Sequence, residues 1–379
     1  MFYDVAVIGA GVFGAWSAYQ IRLTGASVLL LDAYGPGNSR ASSGGESRII
    51  RLGYGPDEIY SRSSQRSLAL WQQLFEKTEP LFHKTGVLWL AREHDPYCEA
   101  TLATLQRLNA NFERLDEDEL IRRFPQLEPG PTRWAILEPD SGVLMARRAV
   151  QAVVAQAKVN GVEYVQNAIA QPHRAQGKLD SVRTVSGEEI AAGQFVFACG
   201  PWLPKLFPEL LKDLIYVTRQ EVIFLGVPAG DDSFDRGVMP TWIDFNEFVY
   251  GLPNVDGRGF KIAIDAHGAE FDPDGERVVS VDGLKAVRDY LARRVPRLAN
   301  APVMETRVCQ YENTSNGDFL IDRHPAFENV WIIGGGSGHG FKHGPVVGEY
   351  VARMISGDQI KEPRFSLESK QRVQNREVF

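Results

Sequence analysis

Three glycines spaced Gly9-Ala10-Gly11-Val12-Phe13-Gly14 stand between an apolar run, residues 3–8, and a helical pattern from about residue 14 to residue 23. Gly25 then stops the helix, and residues 27–32 form a second apolar run. Gly9 permits a tight turn, Gly11 lets the backbone approach a pyrophosphate, and Gly14 allows a helix to lie close on a strand. The helix N-terminus offers unpaired N–H groups and the positive end of its dipole to phosphates. Asp32 lies 18 residues after Gly14 at the end of the second strand, where a carboxylate binds ribose hydroxyls. This is a dinucleotide-binding βαβ unit. Its acid disfavours a 2′-phosphate and hence NADP, but leaves both NAD and FAD open.

Both strands are continuous apolar runs, as in a parallel sheet with helices on both faces. A loop rich in Gly, Ser and Pro (35–45) follows, then a helix over 58–76 whose Tyr60, Leu68, Leu70, Trp71 and Leu74 form an apolar stripe. From Gly86 the pattern changes to short strands at 86–91, 134–138, 220–227, 241–244, 247–252 and 260–267, an antiparallel or mixed sheet. Between these blocks, 146–159 reads as helix, and 163–169 and 194–199 as strands. Residues 330–333, 334–340 and 345–355 return to strand, glycine loop and helix, and the chain beyond about 360 reads as poorly structured. The expected fold is α/β, or α+β overall. A discontinuous Rossmann-like dinucleotide-binding domain (1–85, 146–216 and 312–379) carries a second, substrate domain on a mixed or antiparallel sheet (86–145 and 217–311).

Forty-one Lys and Arg against 48 Asp and Glu, without long runs of one sign, give no electrostatic reason to seek nucleic acid or anionic lipid. No apolar stretch is long enough to span a bilayer, and the N-terminus lacks a basic region and cleavage site, so a soluble cytoplasmic protein is expected. Cys98, Cys199 and Cys309 are odd in number and far apart, offering neither a disulfide framework nor metal-ligand spacing.

Two segments bear on the choice of dinucleotide. Residues 195–202 form a strand ending on small residues, with Cys199, Gly200 and Trp202; this is either a second nucleotide-contact strand or an ordinary core strand. Gly334-Gly335-Gly336-Ser337-Gly338-His339-Gly340 before a helix lets a planar group lie on the backbone, and the helix dipole stabilises negative charge on a reduced ring. Reduced flavin carries such charge and nicotinamide does not, so FAD is favoured over a phosphate loop or hinge. The candidate cofactor residues are Gly9, Gly11, Val12, Phe13, Gly14, Asp32, Ser43, Arg48, Cys199, Gly200, Trp202, Cys309, Gly336, Gly338, His339, Gly340, Phe341 and Lys342.

Five further segments accompany the opening motif in order: Gly45-Glu46-Ser47-Arg48-Ile49-Ile50-Arg51, residues 138–144, Val308-Cys309-Gln310-Tyr311, Phe319-Leu320-Ile321-Asp322-Arg323-His324-Pro325, and Gly338-His339-Gly340-Phe341-Lys342. Together, over nearly the whole chain, they resemble the monomeric sarcosine oxidase and N-methyltryptophan oxidase family of the D-amino acid oxidase superfamily. Taken alone, Cys309 reads as a small buried hydrophobe. The resemblance implies that it forms a thioether to the 8α-methyl of FAD, a reaction of the thiolate that needs nearby positive charge, with Arg307 two residues away.

Lys261, Ala263, Asp265 and His267 share one face of the expected strand 260–267, which is either a solvated edge or a lined pocket. The resemblance implies that Lys261 lies by the flavin and promotes reaction with O2. It also implies that Arg51 and Lys342 hold a substrate carboxylate, that Arg48 lies beside the flavin ring, and that Tyr250 and Tyr311 are active-site tyrosines. The chain departs from the family at Ser43-Gly44, where sarcosine oxidase has paired histidines, and at Asp265, where a histidine is expected. A pocket acid there can recognise a cationic side chain or the substrate amine.

The expected protein is a monomeric FAD-dependent oxidase of an amino acid, with a secondary (N-alkyl) amine as substrate class and O2 as acceptor, giving an imine and H2O2. A dehydrogenase of the same fold serving a quinone or carrier protein, and a flavin-binding redox subunit without its own substrate, are the alternatives.

Overall fold

The computed structural model describes residues 2–169 and 177–373. A seven-stranded sheet follows the order Leu320–Arg323, Val330–Gly334, Glu189–Phe197, Phe2–Ile8, Val28–Asp32 and Glu163–Gln166, with Ser181–Arg183 paired to Glu189–Phe197. Its central pairings are parallel; Leu320–Arg323 and Ser181–Arg183 are antiparallel additions. The helix Val12–Leu23 is buried on almost every side because Ala146–Val159 and Gly344–Ile355 both pack on it. Gly348 makes the second contact possible: a Cβ there would sit 2.6 Å from the Trp16 carbonyl oxygen.

The second sheet has eight strands in the order Val303–Thr314, Ile215–Leu225, Phe260–Ile264, Val249–Leu252, Thr241–Asp244, Val87–Ala91, Trp134–Glu138 and Glu113–Asp116. Val303–Thr314 and Ile215–Leu225 pair from Ile215↔Thr314 to Leu225↔Val303, so the expected boundaries at 216/217 and 311/312 fall inside paired strands. One continuous strand therefore runs from the eight-stranded sheet to the glycine loop, where the Ser337 amide donates to the Glu312 carbonyl at 3.1 Å. That continuity carries Cys309, Tyr311 and Glu312 to the ends of the parallel strands. A small sheet of Arg48–Ile50, Gly142–Leu144 and Phe82–His83 ties the two parts together.

Two expectations need correction. The strand expected over 260–267 ends at Ile264, so His267 does not continue the Lys261 face. Residues beyond 360 do pack: Pro363–Phe365 and Leu367–Ser369 form short 3-10 turns, Phe365 is buried, and Arg364 pairs with Asp318 (2.6 Å) and Asp57 (3.0 Å). Arg364 thus ties this stretch to the body of the chain by ion pairs; residues 374–379 lie outside the described part. The helix Val281–Arg294 was not anticipated, although Ser280 caps it and Val287, Tyr290 and Leu291 give it a buried face. No helix among the described residues is long and apolar enough to cross a membrane.

Candidate active site

The glycine turn has the expected strain. Gly9 has φ +103°, and a Cβ there would lie 2.4 Å from the Ala198 carbonyl oxygen, while one on Gly14 would lie 1.8 Å from the Gly9 carbonyl oxygen. Gly11 is less crowded: a Cβ there would come no nearer than 3.5 Å, to Ser43 Oγ. That hydroxyl accepts from the Val12 amide at 3.0 Å, holding the loop 38–45 over the helix start. Asp32 accepts from the Ala10, Tyr34 and Gly35 amides at 2.8 Å each, although burial raises its pKa.

Over this turn opens a cavity of about 310 Å³. Of the candidate cofactor residues, Gly9, Gly11, Val12, Phe13, Asp32, Ser43, Arg48, Cys199, Gly200, Trp202, Cys309, Gly336, Gly338, Gly340 and Phe341 line it, as does Tyr311. Gly14, His339 and Lys342 do not. His339 is buried against Tyr54 and the Gly317 carbonyl, and Cys199 donates to the Ile8 carbonyl with its thiol pKa pushed up by burial. Ser42 Oγ and Glu312 Oε2 are buried atoms of cavity-lining residues without a hydrogen-bond partner among the described residues. The glycine turn, the acid at the strand end and these unmatched polar atoms fit FAD.

Cys309 is half-buried at the cavity wall. Arg48 supplies the nearby positive charge, with Nη2 3.4 Å from Sγ; its other donors go to the Ser42 and Ser47 carbonyls. Arg307, the cation suggested by sequence spacing, turns instead to Glu305 (2.7 Å) and Glu46 (3.1 Å). Lys261 lies on the far side of Arg48: the two, with Cys309, line a small second cavity. Lys261 is 3% exposed and donates to the Ser47 carbonyl at 2.8 Å. Burial, then the charge on Arg48, holds its pKa well below the lysine range.

Arg51 and Lys342 are each 5% exposed and flank one ring, with Arg51 Cζ 4.2 Å and Lys342 Nζ 5.3 Å from the centroid of Tyr54. Lys342 donates to the Tyr54 hydroxyl at 2.8 Å, and burial followed by the Arg51 charge pulls its pKa far down. The Tyr54 hydroxyl lies 2.7 Å from His343 Nε2, and His343 Nδ1 lies 2.9 Å from Ser63 Oγ. The same hydroxyl lies 3.3 Å from His339 Nδ1, so with Lys342 donating to it the tyrosine proton goes to one of the two imidazoles. Burial, then the charge on Lys342, pushes the His343 pKa well below the usual histidine range, so its ring is neutral.

Asp265, just past its strand, accepts from the Tyr311 hydroxyl. Burial pushes its carboxyl up to about 6, opposed by the Tyr311 bond and by Arg51, Lys342 and Lys261. Tyr250 lies under Lys261, whose Nζ is 5.7 Å from the ring centroid. His267 is half-exposed and lines neither cavity.

Sequence reasoning gave no role to Glu138, Tyr54, His343 or Glu312. Glu138 is 1% exposed and accepts from the Leu52 amide (2.6 Å), the Gly53 amide (2.9 Å), Trp89 Nε1 (2.8 Å) and Ser141 Oγ (2.6 Å), so it anchors the turn after Arg51. An acid at the end of the apolar run Trp134–Glu138 was its available signal. Tyr54 and His343 carried none, because their roles arise only when residues far apart in sequence meet.

The family model for FAD dependent oxidoreductases (DAO) matches residues 4–354. The chain belongs to that family. Monomeric sarcosine oxidase of Bacillus sp. (strain B-0618) is 30% identical over 365 residues, covering 93% of this chain and 92% of that protein. N-methyl-L-tryptophan oxidase of Salmonella heidelberg (strain SL476) is 29% identical over 378 residues, covering 97% of each. The crystal structure of L-proline dehydrogenase from P. horikoshii superposes with a TM-score of 0.84 at 22% identity, over 96% of both chains, which shows a shared fold.

Proposed function

We propose that this FAD-dependent oxidoreductase is an oxidase of a secondary, N-alkyl amino acid. The observation that carries the reading is the burial of Arg51 and Lys342 around Tyr54. Two cations this far from water repel one another, and an arriving carboxylate relieves that repulsion while accepting from a guanidinium and an ammonium together. Similarity to proteins named for sarcosine and N-methyltryptophan supports an N-alkyl amine at the neighbouring carbon.

When bound, FAD supplies a two-electron acceptor for the carbon bearing the amine, and O2 takes the electrons on as H2O2. The chain's own residues do the rest. Segments 1–85, 146–216 and 312–379 would hold the cofactor, Gly9, Gly11, Gly14 and the helix start receiving its pyrophosphate and Asp32 its ribose. Segments 86–145 and 217–311 shape the substrate side. Arg51 and Lys342 fix the carboxylate and with it the α-carbon. Asp265, bonded to Tyr311, faces the substrate amine and favours its arrival as the cation; the amine gives up that proton to solvent before its carbon yields a hydride equivalent. Lys261 stabilises negative charge developing on oxygen. Cys309, with Arg48 beside its sulfur, would tether FAD by a thioether, the thiol and the 8α-methyl each losing a proton and the two electrons reducing the flavin, which O2 reoxidises to give H2O2.

An oxygen electrode with graded N-methyl amino acids tests the reading. It predicts O2 uptake with one H2O2 per O2, and none with N-methyl amines that lack the carboxylate. Reduction of a dye acceptor without O2 uptake would move the protein to the dehydrogenases.

A further inference from the structure

One buried acid in the cavity wall has no task in that reading. Glu312 lies on the strand Val303–Thr314, is 8% exposed, and lines the large cavity. Its Oε1 accepts from the Gly336 amide at 3.3 Å, whereas Oε2 is buried with no hydrogen-bond partner among the described residues. Glycines keep the space around Oε2 open: a Cβ on Gly200 would stand 3.6 Å from it and one on Gly334 3.3 Å. The oxygen therefore faces the gap just beyond the strands Glu189–Phe197 and Val330–Gly334. A carboxylate oxygen left without a donor in such a place destabilises the protein unless a ligand supplies one.

The chemistry of FAD narrows which part supplies it. Its phosphates only accept and carry negative charge, so they do not suit a carboxylate. The adenine amine and the flavin N3–H lie toward the two ends of the molecule. Between them, the donors flanking the pyrophosphate are the adenosine ribose hydroxyls, which fall to Asp32 in the reading above, and the ribityl hydroxyls, which that reading leaves without an acceptor. Glu312 occupies the corresponding middle ground: it is three residues from Cys309, at the flavin end, and Cys199 feels the charges of both Asp32 and Glu312. Burial raises the Glu312 carboxyl to about 7 while the Gly335 and Gly336 amides pull it back, so its accepting form is accessible near neutral pH.

We propose that Glu312 positions the cofactor by accepting, at Oε2, a hydrogen bond from a ribityl hydroxyl of FAD. The inference rests on FAD occupying this cavity.

The test uses the full chain carrying Cys309→Ala, so that binding is reversible, and follows quenching of flavin fluorescence by the apoprotein. FAD and its 2′-, 3′- and 4′-deoxyribityl analogues are titrated into this protein and into the same protein with Glu312→Met. Loss of a charge-assisted bond predicts FAD binding weaker by about tenfold to a hundredfold in the Glu312→Met protein. One analogue should bind the Glu312 protein more weakly by a similar factor, and for that analogue Glu312→Met should have no further effect. Binding of FAD within twofold in both proteins, or equal losses for every analogue in both, overturns the proposal. If Glu312→Met fails to fold by circular dichroism, the analogues decide alone: no analogue weaker than twofold against the Glu312 protein overturns it. Absence of FAD binding to either protein would remove the cofactor reading itself and the inference with it.

Discussion

Replacing Glu138 with Gln keeps the side chain's shape and removes one acceptor and the charge. Oε1 serves the Gly53 amide and Trp89 Nε1, neither of which can accept, so the glutamine oxygen must take that side. The new NH2 then faces the Leu52 amide and Ser141 Oγ. Ser141 can rotate and accept, but the Leu52 N–H cannot, and it is left buried against another donor. One unsatisfied amide costs about 1–3 kcal/mol, and loss of charge assistance in two remaining bonds costs about 1 kcal/mol each, for a total of about 3–5 kcal/mol. Because residues 51–53 carry Arg51, substrate binding should weaken more than turnover, with KM rising about tenfold. Urea unfolding of the flavin-loaded protein and steady-state kinetics with its best N-methyl amino acid measure both effects. A Glu138→Gln protein within about 1 kcal/mol of the parent and with unchanged KM would refute the reasoning.

Lys261→Met should slow oxidation of the reduced protein by O2 about a hundredfold while leaving anaerobic reduction nearly unchanged, as stopped-flow absorbance can show. Protonation of Asp265 as pH falls through about 6 removes the negative charge facing the amine, so kcat/KM should drop below that pH. Asp265→Asn should have a lower plateau and no such acid limb in a pH profile. Acid precipitation should leave a yellow pellet from the parent protein and a colourless one from Cys309→Ala, read by absorbance; a colourless parent pellet would remove the thioether.

The parts of the site legible in the sequence are those built locally. The turn Gly9–Gly14 and Asp32 lie on one βαβ unit, and the glycine loop 334–340 announces a close backbone approach by its composition. The pairing of Cys309 with a cation was anticipated, but on the wrong residue: Arg307 is near in sequence, whereas Arg48 reaches the sulfur from 261 residues away. The strand holding Lys261 was placed correctly and its end was not, because alternation alone continued through Asp265 to His267. Glu138, signalled only by its place at the end of an apolar run, and Glu312, not signalled at all, were missed for a different reason. A buried acid is recognisable by the donors that surround it, and most of these come from afar: the Leu52 and Gly53 amides and Trp89 for Glu138, and the Gly336 amide for Glu312.

Anaerobic mixing of the yellow protein with an N-methyl amino acid tests the central claim most directly. The account predicts loss of flavin absorbance near 450 nm, no loss with the corresponding N-methyl amine lacking the carboxylate, and return of colour in air with one H2O2 per flavin. Failure of every amino acid to bleach the flavin, or equal bleaching by the amine without its carboxylate, would contradict it.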